Sequence, residues 1–377
     1  MYDKEQETIN TMALSRLNYF SLAGLLDLYK KLGTATAVIE HRNNIRDVLP
    51  DATPKLVDAL RNIDEPLRRA EAEYSFDISK GIVPLPMSDE NYPQRLADCP
   101  DAPLVLFYKG NADLNQQRVI SIVGTRRSTT YGQDLIRRFL RELRELCPQV
   151  LVVSGLAYGV DICAHRESLA NRYPTVGVLA HGLDTIYPHS HRSTAVEMVK
   201  NGGLLTEFYT GTRADKVNFV RRNRIVAGIA DATILVESAV HGGGLITTRI
   251  AQDYSRDVFA FPGAVGAQYS EGCNYLIRNH VAQLITCAAD FVQSMGWESD
   301  SMQAEARRQG IERQMFPELS EEESAVVTKL SQHNDLQLNM LAVQTNFSIS
   351  RLTSLLFSLE MKGLVKPLAG GIYHLII

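Results

Sequence analysis

One stretch indicates the fold of this chain: Val119-Ile120-Ser121-Ile122-Val123-Gly124-Thr125-Arg126-Arg127-Ser128, an apolar run that leads directly into a polar turn. Valine and isoleucine favour strands, and the run has the usual length of one. Similar runs follow, separated by segments long enough for helices, at 150–153, 176–179, 204–205, 233–236, 258–261 and 284–285. Apolar strands alternating with helices predict an α/β fold with a Rossmann-like, doubly wound, mostly parallel sheet.

The chain has 377 residues, which is enough for two or three domains. Upstream of the sheet, leucines recur every three or four residues from Leu14 to Leu32 and predict a small helical domain over 1–75. The turn around Gly33 suits a helix-hairpin-helix or sterile-alpha-motif domain, and it equally suits an ordinary helical bundle with a glycine C-cap. The Rossmann-like core is predicted over 76–297.

The last part of the chain carries a different pattern. Residues 298–323 hold eight acidic and three basic side chains, so 298–319 is predicted to be an acidic linker. Three helical segments and a hairpin over 320–377 then predict a winged helix. This segment has five acidic and four basic residues, with only Arg351 and Lys362 as cations on its recognition helix. Such weak positive charge favours a protein contact or a regulatory role over strong duplex binding.

Composition excludes several classes of protein. A hydrophobic fraction of 45% and a net charge of −4 argue against a disordered chain and a histone-like polycation. No apolar run approaches the roughly 18 residues of a membrane span, and the acidic start is unlike a signal peptide. Five scattered cysteines form no C-x-x-C motif. We therefore expect a reduced, cytoplasmic protein with no structural metal, no cofactor and no membrane contact.

Glycine-rich turns follow most of the predicted strands. Ligands of open α/β sheets bind outside the carboxyl ends of the strands, where glycine permits close approach and helix N-termini offer free N–H groups. These turns are 124–128, 155–159, 181–182, 241–244 and 262–263. Their recurrence at one edge predicts a phosphate-bearing ligand. None matches the dinucleotide or P-loop motif, and the turn at 241–244 lacks the G-x-S-x-G elbow of an esterase.

A basic segment narrows the ligand class. Residues 213–224 carry five cations and one acid, with Phe219 among them. Cations that follow phosphates and a ring that stacks on any base are typical of single-stranded nucleic-acid binding. Arg126 and Arg127 belong to the same sheet edge. With about four phosphates neutralised, the logarithm of the binding constant should fall with log salt at a slope near −3.

The residues also leave an enzyme open as the alternative. Glu237 follows a strand and could act as an acid or base in a Rossmann-like nucleotide-processing enzyme of the phosphoribohydrolase type. Such enzymes typically carry proline before their glycine turn, whereas His241 stands there in this chain. The other histidines of this region are expected to be structural, and no catalytic residue set stands out.

Several motifs in unbroken order resemble the DprA/Smf family of DNA-processing proteins over about residues 80–290. They are V-G-T-R-R at 123–127, S-G-L-A-Y-G-V-D at 154–161, G-L-D-T-I-Y-P at 182–188, N-F-V-R-R-N-R-I-V-A-G at 218–228, G-L-I-T-T at 244–248, F-P-G at 261–263 and G-C-N at 272–274. The flanking helical and winged-helix domains also fit this family. Two departures are Tyr158, where arginine is frequent, and the glycines 242–244 in place of S-G-[SA].

The resemblance implies a protein that binds single-stranded DNA, forms homodimers and loads a RecA-type recombinase onto DNA taken up in natural transformation, without being an enzyme. It assigns the DNA pocket to Arg126, Lys216, Phe219, Asn223, Gly243 and Gly244. The turns and the basic segment add further DNA-binding candidates: Gly124, Arg127, Ser154, Gly155, Arg221 and Arg222.

Overall fold

The computed structural model describes residues 3–17, 22–297, 319–332, 334, 336–362, 364–368 and 371–375. Two units are present, Met1–Glu298 and Ser299–Ile377. The predicted acidic linker lies outside the described residues except for Leu319. Within the described ranges, no helix has the length and apolar character that crossing a membrane requires.

Six helices open the first unit, and leucines and other apolar side chains form their core. Thr34 caps the third helix through the N–H of Ala37, directly after Gly33 with its positive φ of 83°. The sixth helix continues across the predicted boundary between residues 75 and 76. The helices are α1 (Lys4–Ser15), α2 (Leu22–Leu32), α3 (Ala35–Glu40), α4 (Ile45–Val48), α5 (Pro54–Arg61) and α6 (Asp64–Lys80).

A nine-stranded sheet follows and confirms the predicted fold class. Its strands are β1 (Val83–Pro86), β2 (Val105–Gly110), β3 (Val119–Val123), β4 (Leu151–Ser154), β5 (Thr175–Val178), β6 (Gly202–Thr206), β7 (Ala232–Leu235), β8 (Asp257–Ala260) and β9 (Gln283–Leu284). The spatial order is β1-β2-β6-β5-β4-β3-β7-β8-β9. Pairing is parallel from β6 to β9, whereas β1 and β2 add an antiparallel edge.

Helices cover both faces of the parallel strands, which explains their almost uniformly apolar sequence. These helices are α7 (Gln94–Ala97), α8 (Thr130–Leu146), α9 (Val160–Ala170), α10 (Arg192–Lys200), α11 (Lys216–Gly228), α12 (Gly243–Asp253), α13 (Glu271–Arg278) and α14 (Ala288–Met295). Chain direction across the sheet reverses between β3 and β7. This switch point creates a crevice at the carboxyl ends of these two strands.

The second unit confirms the predicted winged helix. Helices α15 (Glu321–Gln332), α16 (Leu338–Thr345) and α17 (Ile349–Met361) bury a leucine core against a small antiparallel sheet. The sheet holds β11 (Val365–Leu368) and β12 (Ile372–Leu375), together with β10 (Leu336–Gln337), a strand that the sequence pattern did not predict.

Two acidic side chains are buried one turn apart on α6, and the first of them joins the N-terminal helices to the core. Glu73 accepts hydrogen bonds of 2.5 Å from the N–H and the hydroxyl of Thr210, and pairs with Arg69 at 2.6 Å. Asp77 lies one helical turn later and is 1% exposed. Burial, and then the neighbouring Glu73 carboxylate, raise the pKa of Asp77 to about 8.

This raised pKa predicts a pH-dependent stability. Between the unfolded value of 3.8 and about 8, the folded chain holds a proton on Asp77 that the unfolded chain has lost. The stabilisation is therefore complete below the unfolded value and is lost as pH rises through the folded value. We expect the melting temperature of the wild type to fall between about pH 5 and about pH 9, and the fall to be shallower in Asp77→Asn. Equal slopes in both proteins would contradict this assignment.

Candidate nucleic-acid interface

A cavity of about 530 Å³ lies at the switch point of the sheet. The turns after β3, β4 and β7 form it together with one face of α11. Nine of the twelve predicted DNA-binding residues line it: Gly124, Arg126, Gly155, Lys216, Phe219, Arg222, Asn223, Gly243 and Gly244. The structure thus brings together residues that are more than a hundred positions apart in sequence.

Arg126 and Phe219 contact each other in the cavity lining. The Arg126 guanidinium carbon lies 4.7 Å from the centroid of the Phe219 ring, a cation–π distance. Arg126 is exposed and Phe219 is half-buried, so both remain accessible from solvent. Lys216 is exposed at the start of the same helix, where the Asp215 carboxylate caps the N–H of Asn218 at 2.7 Å. The arrangement presents cationic and aromatic surface side by side.

A buried guanidinium fixes α11 beneath this surface. Arg222 is 5% exposed and donates a hydrogen bond to the carbonyl of Val178. Its guanidinium and the Asp161 carboxylate both lie against Gly155, where a Cβ would approach each of them within 2.4 Å. Burial raises the pKa of the Asp161 carboxyl, and the Arg222 guanidinium opposes that shift. Gly155 is therefore required to make room for this charge pair.

Three predicted residues lie outside the cavity. Ser154 is fully buried and donates a 2.6 Å hydrogen bond to the carbonyl of Ile122. Arg221 points to the opposite side of α11 and pairs with Glu207 at 2.8 Å. Arg127 is exposed beside the opening, and its N–H donates to the Thr125 hydroxyl.

The turn after β7 supplies the far wall. Gly242 caps α12, and Gly243 and Gly244 provide its first N–H groups, which have no acceptor within a helix. A Cβ on Gly244 would lie 2.6 Å from the Leu235 side chain, so the packing leaves no room for a side chain at this position. A Cβ on Gly243 would meet nothing within 4 Å. Gly243 therefore faces open space at a helix N-terminus suited to an anion.

The sequence reasoning missed other residues that line the cavity, notably Asp161, Val220 and Ile246. Val220 and Ile246 are exposed and add apolar surface. Asp161 could have been found from its position in the first turn of a helix after a glycine-rich turn, because a carboxylate there needs a cationic partner when buried.

Glu237, the residue invoked for an enzyme, has structural partners, and so do two histidines of this region. Glu237 is 3% exposed and accepts hydrogen bonds from the N–H and hydroxyl of Thr129 at 2.8 and 2.6 Å, which fixes the start of α8. Burial lowers the pKa of His165 to about 4, so its ring is neutral, with Thr175 and Gly155 as hydrogen-bond partners. His191 bonds to the carbonyl of Leu156.

Comparison with known proteins gives two family matches. Residues 84–296 match the model of DNA recombination-mediator protein A, and residues 314–371 match the DprA winged helix domain. The putative DNA processing protein DprA of Mycobacterium tuberculosis H37Rv is 35% identical over 274 residues, which are 72% of this chain and 69% of that protein.

Solved structures agree with this result. The X-ray structure of DNA processing protein A from Streptococcus pneumoniae has a TM-score of 0.64 at 29% identity and covers 76% of this chain and 97% of that one. DNA processing protein A from Helicobacter pylori was solved in work on its single-stranded DNA binding mode. It has a TM-score of 0.51 at 29% identity and covers 57% of this chain and 95% of that one. Since the first family match spans more than half of the sequence, the chain belongs to the DNA recombination-mediator protein A family, as its resemblance to DprA/Smf proteins predicted.

Proposed function

We propose that this protein binds single-stranded DNA in the switch-point cavity and acts as a recombination mediator. In this role it loads a RecA-type recombinase onto DNA taken up in natural transformation. The observation that carries the proposal is the Arg126 guanidinium over the half-buried Phe219 ring, beside the open N-terminus of α12. The single-stranded DNA binding described for the Helicobacter pylori relative supports it.

Phosphates would be bound by the exposed cations around the opening. Arg126, Arg127, Arg213 and Lys216 are all exposed, whereas Arg222 is committed to its buried contacts. Each phosphate contact contributes about −0.7 to the slope of the logarithm of the binding constant against log salt. Four contacts therefore support the expected slope near −3. A base would stack on Phe219 irrespective of its identity, because every base has a π-face. Binding should therefore be largely independent of DNA sequence.

The proposed partners extend beyond DNA. A homodimer and a RecA-type recombinase are proposed from family membership, and the cytoplasm is the proposed location, in keeping with five free cysteines. For the winged helix we propose a protein contact. Its Arg351 pairs with Glu322 and its Lys362 with Glu323, so both recognition-helix cations are engaged. Exposed apolar residues lie on the same unit: Val343, Phe357 and Met361.

Fluorescence anisotropy with labelled oligo-dT and matched duplex, across a salt series, tests DNA binding. We expect wild type to prefer the single strand. Arg126→Ala should weaken binding and make the salt slope shallower by about 0.7, because one phosphate contact is lost. Phe219→Ala should weaken binding by about 5-fold or more without changing the slope, because a stacking contact is lost.

The exposed Arg141 on α8 provides a matched control, and Arg141→Ala should bind as the wild type does. A wild type without single-strand binding would refute the proposal. An affinity for oligo-dT that does not change with salt would refute the electrostatic part of the proposal.

Gly243→Ala tests whether DNA approaches the α12 N-terminus. The added methyl group meets no protein atom, so the melting temperature should be unchanged or slightly higher. We expect affinity for oligo-dT to fall by about 5-fold, the cost of crowding a close contact. Gly155→Ala is the contrasting variant, since its methyl group collides with Arg222 and Asp161 and should lower the melting temperature itself. Unchanged DNA affinity in Gly243→Ala would place the strand away from this turn.

Recombinase loading requires its own assay. With RecA and single strands precoated by single-strand-binding protein, wild type should accelerate strand exchange, and Arg126→Ala should lose most of that acceleration. If wild type binds oligo-dT normally but does not accelerate exchange, the loading role is refuted while DNA binding stands.

A further inference from the structure

Two exposed tyrosines lie next to the cavity and are not part of the DNA pocket described above. Tyr158 is 49% exposed in the turn after β4, and Tyr187 is 51% exposed in the loop after β5. Tyrosine has a large, rigid apolar face with a polar tip, so an exposed tyrosine is better suited to binding a partner than to contact with water. Both positions continue the carboxyl edge of the sheet away from the Gly243 turn.

Tyr187 adjoins the stacking ring of the pocket. Its ring centroid lies 6.0 Å from that of Phe219, with the planes tilted by 53°. The buried His181 holds its backbone, since His181 accepts the Tyr187 N–H on Nε2 at 3.2 Å. The other ring nitrogen, Nδ1, donates to the carbonyl of Gly182 at 2.8 Å. The aromatic surface at Phe219 is therefore extended by a second ring on a fixed backbone.

Tyr158 lies on the turn that packs against Arg126. The neighbouring Val160 N–H donates to the Thr125 carbonyl at 3.1 Å, which joins the two turns. The Tyr158 ring contacts the His191 ring edge-to-face at 4.9 Å, and His191 is itself held by the carbonyl of Leu156. One side of the tyrosine is thus supported by protein, and nearly half of its surface remains open.

The order of the strands sets where the two tyrosines lie along the sheet edge. The turns after β7, β3, β4 and β5 are successive neighbours along the sheet edge. Neighbouring strands lie about 4.8 Å apart, so the four turns span three such spacings, or about 14 Å. This length is more than a single nucleotide needs. Cations cluster at the β3 turn and the start of α11, whereas the β4 and β5 turns present the two tyrosines. Exposed aromatic rings suit bases rather than phosphates, so we expect bases at this end.

We propose that Tyr187 and Tyr158 form a second stacking surface, which binds the bases of nucleotides that flank the one on Phe219. The strand would run from the Gly243 turn past Arg126 and Phe219 to the β5 loop. This inference rests on the proposed single-strand binding and adds a longer footprint and two base contacts to it.

Anisotropy with long and short oligo-dT tests the proposal, using about twelve and about four nucleotides. Tyr158→Ala and Tyr187→Ala should each weaken binding of the long oligonucleotide by about 5-fold or more, with an unchanged salt slope and a smaller effect on the short one. Tyr158→Phe and Tyr187→Phe should bind like wild type, because stacking needs the ring and not the hydroxyl. Tyr275→Ala is the matched control, since this tyrosine is 46% exposed on α13 and lies outside the cavity lining.

A base-free oligonucleotide of the same length separates stacking from backbone contact. On this ligand the two alanine variants should equal wild type, while Arg126→Ala should still weaken binding. The proposal is overturned if both alanine variants bind the long oligo-dT as wild type does, or if their loss persists on the base-free strand. Failure of wild type to bind any single strand would instead refute the proposed function.

Discussion

The buried guanidinium of Arg222 is the constraint on which the candidate site depends. A charge out of water is costly unless it is paired and hydrogen-bonded. Burial lowers the pKa of Arg222 and the nearby Asp161 carboxylate opposes that shift, while the Val178 carbonyl accepts a hydrogen bond from the guanidinium. Because Arg222 lies one helical turn after Phe219, the contact that anchors α11 also sets the position of the stacking ring. The guanidinium carbon itself lies 5.9 Å from the ring centroid.

Further contacts hold α11 from its other side and from its leading loop. Glu207 pairs with both Arg221 and Arg224, so the face of the helix away from the cavity is also fixed by charge. The loop that precedes the helix is held at Thr210 by Glu73 of α6. The N-terminal helices thus reach the site through the backbone that leads into α11, although they contribute no residue to the cavity lining.

Sequence reasoning found β3 to β9 within one or two residues, because buried parallel strands consist of uninterrupted apolar runs. Nine of its twelve predicted DNA-binding residues line the cavity, because glycine turns and their helices must meet at one sheet edge. It did not separate exposed from buried cations in the segment 213–224, since their carboxylate partners, such as Glu207 and Asp161, lie elsewhere in the sequence. The sequence also could not predict that Tyr158 and Tyr187 are exposed, because exposure depends on which loops pack against them.

The most direct test of single-strand binding in the switch-point cavity is a crystal structure of the full chain with bound oligo-dT. We expect a base stacked on Phe219, with an adjacent phosphate within hydrogen-bond distance of the Arg126 guanidinium and the N–H of Gly243. A strand bound elsewhere, with the Arg126–Phe219 contact unchanged and the switch-point cavity free of nucleotide, would contradict it.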